Sequence, residues 1–364
     1  MKIIFLSPHF FHKRGGAETN DKNLTAALAE IDAVGSSVGI CGISDSDMQI
    51  YPISEFVHDF SVSGKYFYNL GLRKTGFFGK LLRNGFEVYA VFRSVPLIRR
   101  IKPDVIFLTG RPILALIRFF CKTKIIYSCR GVPSFTVYPL LPLINEVIFW
   151  GGCEKSSQLP ALFSKGKHFL NAPISETFLS LQPDPAYVSQ HNIESQFILT
   201  VARLDPVQNL EKIIISLSDT LQKYDLHYYI AGEGALRERL ASVAAQYNLR
   251  ERVHFLGVVD EAGLKELYQE CEFYIANPEF TSFGLSLLEA FASGAKIVHP
   301  DTGLVFQNIR DYRGVYCLTR ELDFSEVLNQ SISSEDFTKR SKLALVNTTW
   351  RKIAQYVYKS LMRD

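Results

Sequence analysis

The clearest candidate for chemistry is a polar loop that opens into a helix, within residues 277–294. Gly284 stands where an apolar helical pattern begins. The free backbone amides near Gly284 and Leu285 would bind an anion at the positive end of the helix dipole. Glu289 lies one turn after Leu285 among apolar residues, where a carboxylate needs hydroxyl donors. A pair of sugar hydroxyls would fit it.

An arginine and a glycine turn follow two earlier apolar runs. Arg203 comes directly after the run 197–202, and at the carboxyl end of a strand its planar fork can bind a phosphate through two hydrogen bonds. The alternative is a surface ion pair with Asp205. The run 228–231 leads into Gly232 and Gly234, which by themselves predict only a turn.

A glycine pair also precedes the first helical pattern. Gly15 and Gly16 let the backbone approach a ligand closely, and Lys13 and Arg14 add positive charge. The spacing matches neither G-x-G-x-x-G nor a Walker loop. An ordinary tight turn between a strand and a helix explains the pair equally well.

Residues 65–102 are basic and aromatic, with nine Lys and Arg against one acidic residue, Glu87. This pattern suits a helix or loop that meets anionic lipid or a lipid-linked diphosphate acceptor. The alternative is a solvated helix face whose Lys and Arg stems cover the core. Nucleic-acid binding is not expected, because no recognition motif accompanies the charge. The cations assigned to the acceptor or membrane are Lys65, Arg73, Lys74, Lys80 and Arg83.

The elements that must position these residues are short strands alternating with helices. Their continuous apolar runs are typical of parallel sheets covered on both faces, so the sequence predicts an α/β protein of two doubly wound units. Ligands of such sheets bind at the carboxyl ends of the strands. The boundary between the units is expected within 171–195, where prolines interrupt helical periodicity. The predicted strands are 3–6, 105–108, 124–127, 147–149, 197–201, 228–231, 253–256, 273–276 and 296–298.

Length and composition agree with two globular domains and leave a third open. The chain has 364 residues, of which 47% are apolar and 21% charged, and its formal charge is +3. That total hides a split, because residues 1–172 hold 21 Lys and Arg against 12 Asp and Glu, whereas 173–364 hold 19 against 25. Halves of opposite sign indicate units with different partners.

The sequence predicts a cytoplasmic protein. Its six cysteines are far apart and lack zinc spacing, so we expect most to be buried thiols in a reducing compartment. Neither a signal peptide nor a membrane helix is predicted, and a peripheral contact with the inner face of the cell membrane stays open. Asp45 and Asp47 have D-x-D spacing but lie in a polar loop of the first domain, and we expect no metal.

Together these motifs resemble the retaining, nucleotide-sugar-dependent glycosyltransferases of the GT-B architecture, in the group called glycosyltransferase family four. The resemblance implies two Rossmann-like domains that face a cleft. It gives an acceptor domain at 1–172, a nucleotide-sugar domain at 173–345 and a final helix at 346–364 that crosses back to the first domain. The matching stretches keep the family's order and spacing across nearly the whole chain, and they are 15–18, 201–206, 230–234, 253–257 and 283–294.

The resemblance also implies roles for individual residues. Arg203 would bind the donor diphosphate, Glu289 would take the ribose hydroxyls, and Arg130 would lie near the transferred sugar. No cofactor is implied beyond the nucleoside diphosphate sugar itself. The other donor-binding residues would be Gly16, Gln208, Gly257, Val258, Thr281, Phe283, Gly284, Leu285 and Ser286.

The chain departs from the family pattern at two positions. Thr281 stands where the family usually has a glutamate on the donor sugar, and Gln208 stands where it usually has a lysine on the diphosphate. A missing cation opposite two phosphates should weaken donor binding or slow departure of the nucleoside diphosphate. Arg130 is a candidate to replace that charge. The hypothesis fails if Arg130→Ala leaves donor affinity unchanged while Arg203→Ala abolishes it.

Two functions follow. The first is a retaining glycosyltransferase that moves a sugar from a nucleoside diphosphate sugar to a glycan or lipid-linked acceptor in cell-surface polysaccharide synthesis. The second is a catalytically weak or inactive GT-B relative that acts as a binding or scaffold subunit, favoured by Thr281 and Gln208. A nucleotide-sugar epimerase of similar architecture lacks motif support.

Overall fold

The computed structural model describes residues 1–7, 16–31, 34, 38–44, 47–52, 77–109, 112–129, 138–150, 166–170, 173–180, 186–278, 284–302, 304–319, 322–345 and 349–361. The chain divides into two compact units. The first unit comprises Met1–Asn171 and Trp350–Asp364, and the second comprises Ala172–Thr349.

The first unit is built on one mostly parallel sheet. In chain order its elements are β1 (Ile3–Leu6), α1 (Gly16–Ala29), β2 (Val38–Ser44), β3 (Asp47–Pro52), α2 (Phe77–Ile101), β4 (Val105–Thr109), a 3-10 helix (Pro112–Phe119), β5 (Lys124–Cys129), a second 3-10 helix (Tyr138–Leu143), β6 (Glu146–Trp150) and β7 (Lys167–Leu170). The sheet order is β3-β2-β1-β4-β5-β6-β7, and only the β2–β3 pair is antiparallel among these strands.

β1 shows why the apolar runs become strands. Its four residues, Ile-Ile-Phe-Leu, are all buried, and Ile3 is in register with Val38 on one side and Val105 on the other. A central strand of a sheet that is covered on both faces has no solvent side, so its apolar residues run without a break.

The second unit is an all-parallel sheet in its described strands. Its elements are a 3-10 helix (Glu176–Leu179), α3 (Ala186–Gln190), β8 (Phe197–Val201), a 3-10 helix (Pro206–Gln208), α4 (Leu210–Lys223), β9 (His227–Ala231), α5 (Arg237–Gln246), β10 (Val253–Gly257), α6 (Glu261–Glu270), β11 (Phe273–Ile275), α7 (Leu285–Ala292), β12 (Ile297–His299), α8 (Leu304–Ile309), β13 (Val315–Cys317), α9 (Phe324–Asn329) and α10 (Ser334–Leu345). The order is β10-β9-β8-β11-β12-β13.

Helical periodicity fixes how the helices of the second unit lie on the sheet. In α4 the buried positions recur every three or four residues, which places them on one face. They join the core that also holds Ile198 and Tyr228 of the strands. The buried residues of α4 are Leu210, Ile213, Ile214, Leu217 and Leu221.

The last helix, α11 (Trp350–Leu361), belongs to the first unit and packs against α1. The Trp350 ring lies 6.4 Å from that of Trp150. The Tyr356 hydroxyl is 2.9 Å from Nδ1 of His168. These contacts hold a segment that is remote in sequence to the sheet of the first unit.

The prediction of an α/β protein with two doubly wound sheets is confirmed, and each predicted strand overlaps an observed one. Sequence reasoning missed β2, β3, β7 and β13. Three of them, β3, β7 and β13, lie at sheet edges, where a strand has fewer neighbours and carries more polar residues. β2 contains Gly39 and Gly42, which weaken a strand pattern.

Two further expectations concern thiols and membrane helices. Of the four cysteines whose side chains the structure describes, Cys129 and Cys271 are buried, Cys121 is half-buried and Cys317 is exposed, and none of these four is in a disulfide. Within the described segments, no helix is both long and apolar enough to cross a membrane.

Candidate functional site

The candidate site lies at the point in the second unit where the strand order reverses. β8 and β11 are neighbours, but the chain continues from them towards opposite edges of the sheet, and at such a reversal point ligands bind outside the carboxyl ends of the strands. Arg203 is in the loop after β8. Asn209, at the end of that loop, has a left-handed φ of 50° and donates from Nδ2 to the Asn277 carbonyl after β11 at 3.2 Å.

The backbone of the glycine turn after β9, residues 232–234, packs against the backbone of the Arg203 loop. Leu204 donates its backbone N–H to the Glu233 carbonyl at 3.0 Å. A Cβ at Gly232 would stand 2.0 Å from the Ala202 carbonyl oxygen, and one at Gly234 would stand 2.3 Å from that of Leu204. Both positions therefore require glycine because two backbones touch, whatever ligand the site takes.

Arg203 forms the surface ion pair with Asp205 that the sequence offered as the alternative to phosphate binding. Its Nη2 lies 2.9 Å from Oδ2 of Asp205, and its side chain remains 46% exposed. Such an exposed pair adds little stability, but it restricts the guanidinium to one side of the loop. Gln208 ends the short 3-10 helix of the same loop and contributes a neutral amide there.

The loop after β11 leads into α7, whose first turn presents backbone amides. Gly284 caps the helix with a left-handed φ of 60°, and α7 runs from Leu285 for eight residues. The amides of the first turn have no acceptor within the helix and carry the positive end of its dipole. The Ser286 hydroxyl is held 3.0 Å from the hydroxyl of Tyr274 in β11.

Glu289 extends from the next turn of α7 towards α6. Its Oε2 accepts a hydrogen bond from the Tyr268 hydroxyl at 3.3 Å. The pKa of the Glu289 carboxyl is raised to about 7, first because burial disfavours the charge and then because Glu261 lies nearby, while the hydrogen bond from Tyr268 lowers it. The carboxyl is thus short of donors, and ligand hydroxyls would stabilise its charged form.

Gly257 and Val258 lie where β10 ends. Gly257 has a φ of 70°, accepts the Gly232 backbone N–H at 2.6 Å and lies near the Glu233 carboxylate. Val258 is 50% exposed, so an apolar side chain faces solvent beside these loops. An exposed apolar residue at this position can cover one face of a flat ring.

Most of the second unit matches a known protein family. Residues 186–344 match the family described as glycosyl transferases group 1. The whole chain superposes on the Anabaena HepE crystal structure, in complex with UDP and glucose, with a TM-score of 0.70 at 15% identity and 99% coverage of both chains. This likeness shows that the two units have the GT-B fold.

Curated relatives match this chain over shorter stretches. An uncharacterised glycosyltransferase of Methanocaldococcus jannaschii is 28% identical over 131 residues, which is 36% of this chain and 34% of the relative. The N-acetylgalactosamine-N,N'-diacetylbacillosaminyl-diphospho-undecaprenol 4-alpha-N-acetylgalactosaminyltransferase of Campylobacter jejuni is 33% identical over 109 residues, 30% of this chain and 29% of the relative. The matched stretches thus span about a third of these relatives.

Several expected site residues fall outside the described structure. They are Arg130, Thr281, Phe283, Lys65, Arg73 and Lys74. For Gly16 at the start of α1, and for Lys80 and Arg83 in α2, the structure describes the backbone course only. Four of the expected donor-binding residues follow β8 and β11, the two strands at the reversal point, and these are Arg203, Gln208, Gly284 and Glu289.

The structure adds residues that sequence reasoning missed. Tyr268 and Tyr274 are fully buried partners of Glu289 and Ser286, and burial raises the pKa of both phenols. His299 ends β12, buried, with its Nδ1 2.7 Å from the Pro300 carbonyl oxygen, and burial lowers its pKa to about 4. The sequence could have drawn attention to His299 because it stands at the carboxyl end of a predicted strand, where ligands of such sheets bind. Among the described residues, no group of three or more His, Cys, Asp or Glu could hold a metal ion.

Proposed function

We propose that this chain is a retaining glycosyltransferase that moves a sugar from a nucleoside diphosphate sugar to a glycan or lipid-linked acceptor. One observation carries the proposal. The loops at the reversal point of the second sheet supply a guanidinium at Arg203, the amino end of α7, and a donor-poor carboxyl at Glu289. The first two suit a diphosphate, and the third suits the two hydroxyls of a ribose.

The chemistry would rest on stabilising the leaving group. The bond between the anomeric carbon and the diphosphate oxygen breaks, and its electron pair leaves with the diphosphate. The acceptor hydroxyl oxygen bonds to the same face of that carbon, and its proton passes to the departing diphosphate. Arg203 and the α7 dipole face the charge that develops, which is where electrostatic stabilisation acts most strongly.

The relatives support the two substrate classes. The HepE structure holds UDP and glucose, and a further HepE structure holds UDP-glucose. The name of the Campylobacter relative specifies a diphospho-undecaprenol acceptor and an α linkage. A nucleotide-sugar donor, a lipid-linked glycan acceptor and retention of configuration are therefore the substrates and stereochemistry we propose for this chain.

A second candidate function, a binding or scaffold subunit without turnover, is favoured by Gln208. The loop after β8 carries a neutral amide where the family that it resembles has a cation. If this candidate holds, the second unit binds a nucleotide but releases no sugar from it.

The test measures nucleotide binding and turnover in Arg203→Ala and in a matched control. Arg239→Ala is the control, because Arg239 also makes an ion pair in this unit, at 2.5 Å to Glu211, but lies in α5. Losing a charge-assisted hydrogen bond costs about 1.5–3 kcal/mol, so Arg203→Ala should weaken binding roughly 10- to 150-fold. Equal binding by the two variants in titration calorimetry with UDP and GDP would overturn the proposal. Binding without sugar transfer from any nucleotide sugar would favour the second candidate.

A further inference from the structure

The outer face of α2 in the first unit is aromatic as well as basic. Among its described side chains Tyr89 is 47% and Phe92 58% exposed. At 3.6 residues per turn, the exposed positions from 85 to 100 fall within an arc of about 120°. The opposite arc is buried against the sheet. The exposed positions are Gly85, Tyr89, Phe92, Arg93, Pro96, Arg99 and Arg100, and the buried ones are Glu87, Ala90, Val91, Ser94, Val95 and Ile98.

This exposed face continues onto the neighbouring 3-10 helix, Pro112–Phe119. The Phe120 ring lies 5.5 Å from that of Phe92 in an edge-on contact. Phe119 beside it is 71% exposed, and Lys122 is exposed as well. We name the surface formed by α2 from residue 85 onward and by residues 119–122 the aromatic face.

The exposed charges of residues 85–122 are mostly positive. Between residues 85 and 122 the acidic side chains are Glu87, which is buried, and Asp104, whose carboxylate accepts the backbone N–H of Lys2 at 2.7 Å. The exposed cations of this stretch, within the described residues, are Arg93, Arg99, Arg100, Lys102 and Lys122. A helix that only covers the core would be expected to expose polar side chains instead of Phe92 and Tyr89.

We propose that the aromatic face docks the first unit onto the surface of an anionic lipid bilayer. Aromatic rings on a helix face bury themselves at the boundary between headgroups and acyl chains. Arginines beside them bind lipid phosphates, and each adds attraction to an anionic surface. An anionic surface would repel exposed carboxylates, and the one acidic residue of α2, Glu87, is buried. The helix lies in the surface, since no described helix is apolar and long enough to span.

Co-sedimentation with vesicles tests the proposal. The full chain is mixed with vesicles of phosphatidylcholine alone, or of phosphatidylcholine with phosphatidylglycerol, without nucleotide sugar. We expect at least tenfold stronger partitioning onto the anionic vesicles, declining as salt rises. The double variants Phe92→Ala/Phe119→Ala and Arg99→Ala/Arg100→Ala should each weaken it about tenfold or more. A matched variant of the second unit, Tyr247→Ala/Arg239→Ala, also removes an exposed ring and a cation and should bind like the parent.

Three results would overturn the proposal. The first is equal binding of the full chain to neutral and anionic vesicles. The second is vesicle binding that neither aromatic-face variant weakens. The third is that the chain does not bind vesicles but forms a dimer with a second copy, and that Phe92→Ala/Phe119→Ala dissociates this dimer. Circular dichroism confirms that each variant is folded. The assay contains no donor and measures no transfer, so its outcome is independent of the proposed glycosyl transfer.

Discussion

Glu289→Gln should make the unliganded protein more stable at alkaline pH while weakening nucleotide binding. The Glu289 carboxyl has a pKa raised from 4.5 to about 7 in the folded chain. A raised pKa means that the folded state binds this proton more tightly than the unfolded state. The free energy of unfolding therefore falls as pH rises from about 4.5 through about 7, and it stays lower above that.

The magnitude follows from the shift. One unit of pKa corresponds to about 1.4 kcal/mol, so ionising Glu289 costs about 3 kcal/mol at pH 8. Gln carries no charge and can still accept the Tyr268 hydrogen bond, but its buried amide N–H groups cost about 1 kcal/mol. The net gain of about 2 kcal/mol should raise the Tm of the second unit by roughly 4–8 °C at pH 8. At pH 5, where Glu289 is protonated in the folded state, the gain should vanish.

Scanning calorimetry of both proteins between pH 5 and pH 8 measures this difference. Glu335→Gln is the matched control, because Glu335 is an exposed carboxylate of the same unit, paired with Lys339 at 2.8 Å. Its Tm difference from the parent should be small at every pH. If the Tm difference between Glu289→Gln and the parent is the same at pH 5 and pH 8, the reasoning about Glu289 is refuted. Nucleotide binding to the parent should also strengthen as pH rises through about 7, because the charged carboxylate accepts ribose hydroxyls.

Two further substitutions test the surroundings of the site. Tyr268→Phe removes the hydrogen bond that lowers the pKa of Glu289, so the stability transition should move to higher pH; an unchanged or lower midpoint in the same calorimetric series would contradict this. Gly232→Ala should destabilise the chain by about 3 kcal/mol or more in urea unfolding, because its Cβ would meet the Ala202 carbonyl at 2.0 Å at a φ of 137°. Gly85→Ala is its control: it has open space and lies in a helix, so it should be neutral or stabilise by about 0.5–1 kcal/mol. Similar destabilisation by both alanines would show that the backbone contact at Gly232 is unimportant.

The sequence by itself determined the features that rest on neighbouring residues. A strand such as β1 is apolar at every position because both of its faces are buried, and that pattern is visible in Ile-Ile-Phe-Leu alone. The start of α7 after Gly284 and the amphipathic spacing of α4 are local in the same way. These patterns were enough to predict the α/β fold class and to locate the strand ends that precede Arg203 and Glu289.

Only the tertiary structure decided what these loops touch. The demand for glycine at Gly232 comes from the Ala202 carbonyl, which is thirty positions away in the chain. The partner of Glu289 is Tyr268 on another helix, and the strands β3, β7 and β13 exist because a neighbour offers them hydrogen bonds. The aromatic face likewise depends on Phe92 of α2 contacting Phe120, which follows the 3-10 helix Pro112–Phe119. Such contacts join residues that are 20 to 30 positions apart, so the short local patterns that predict strands and helices do not contain both partners.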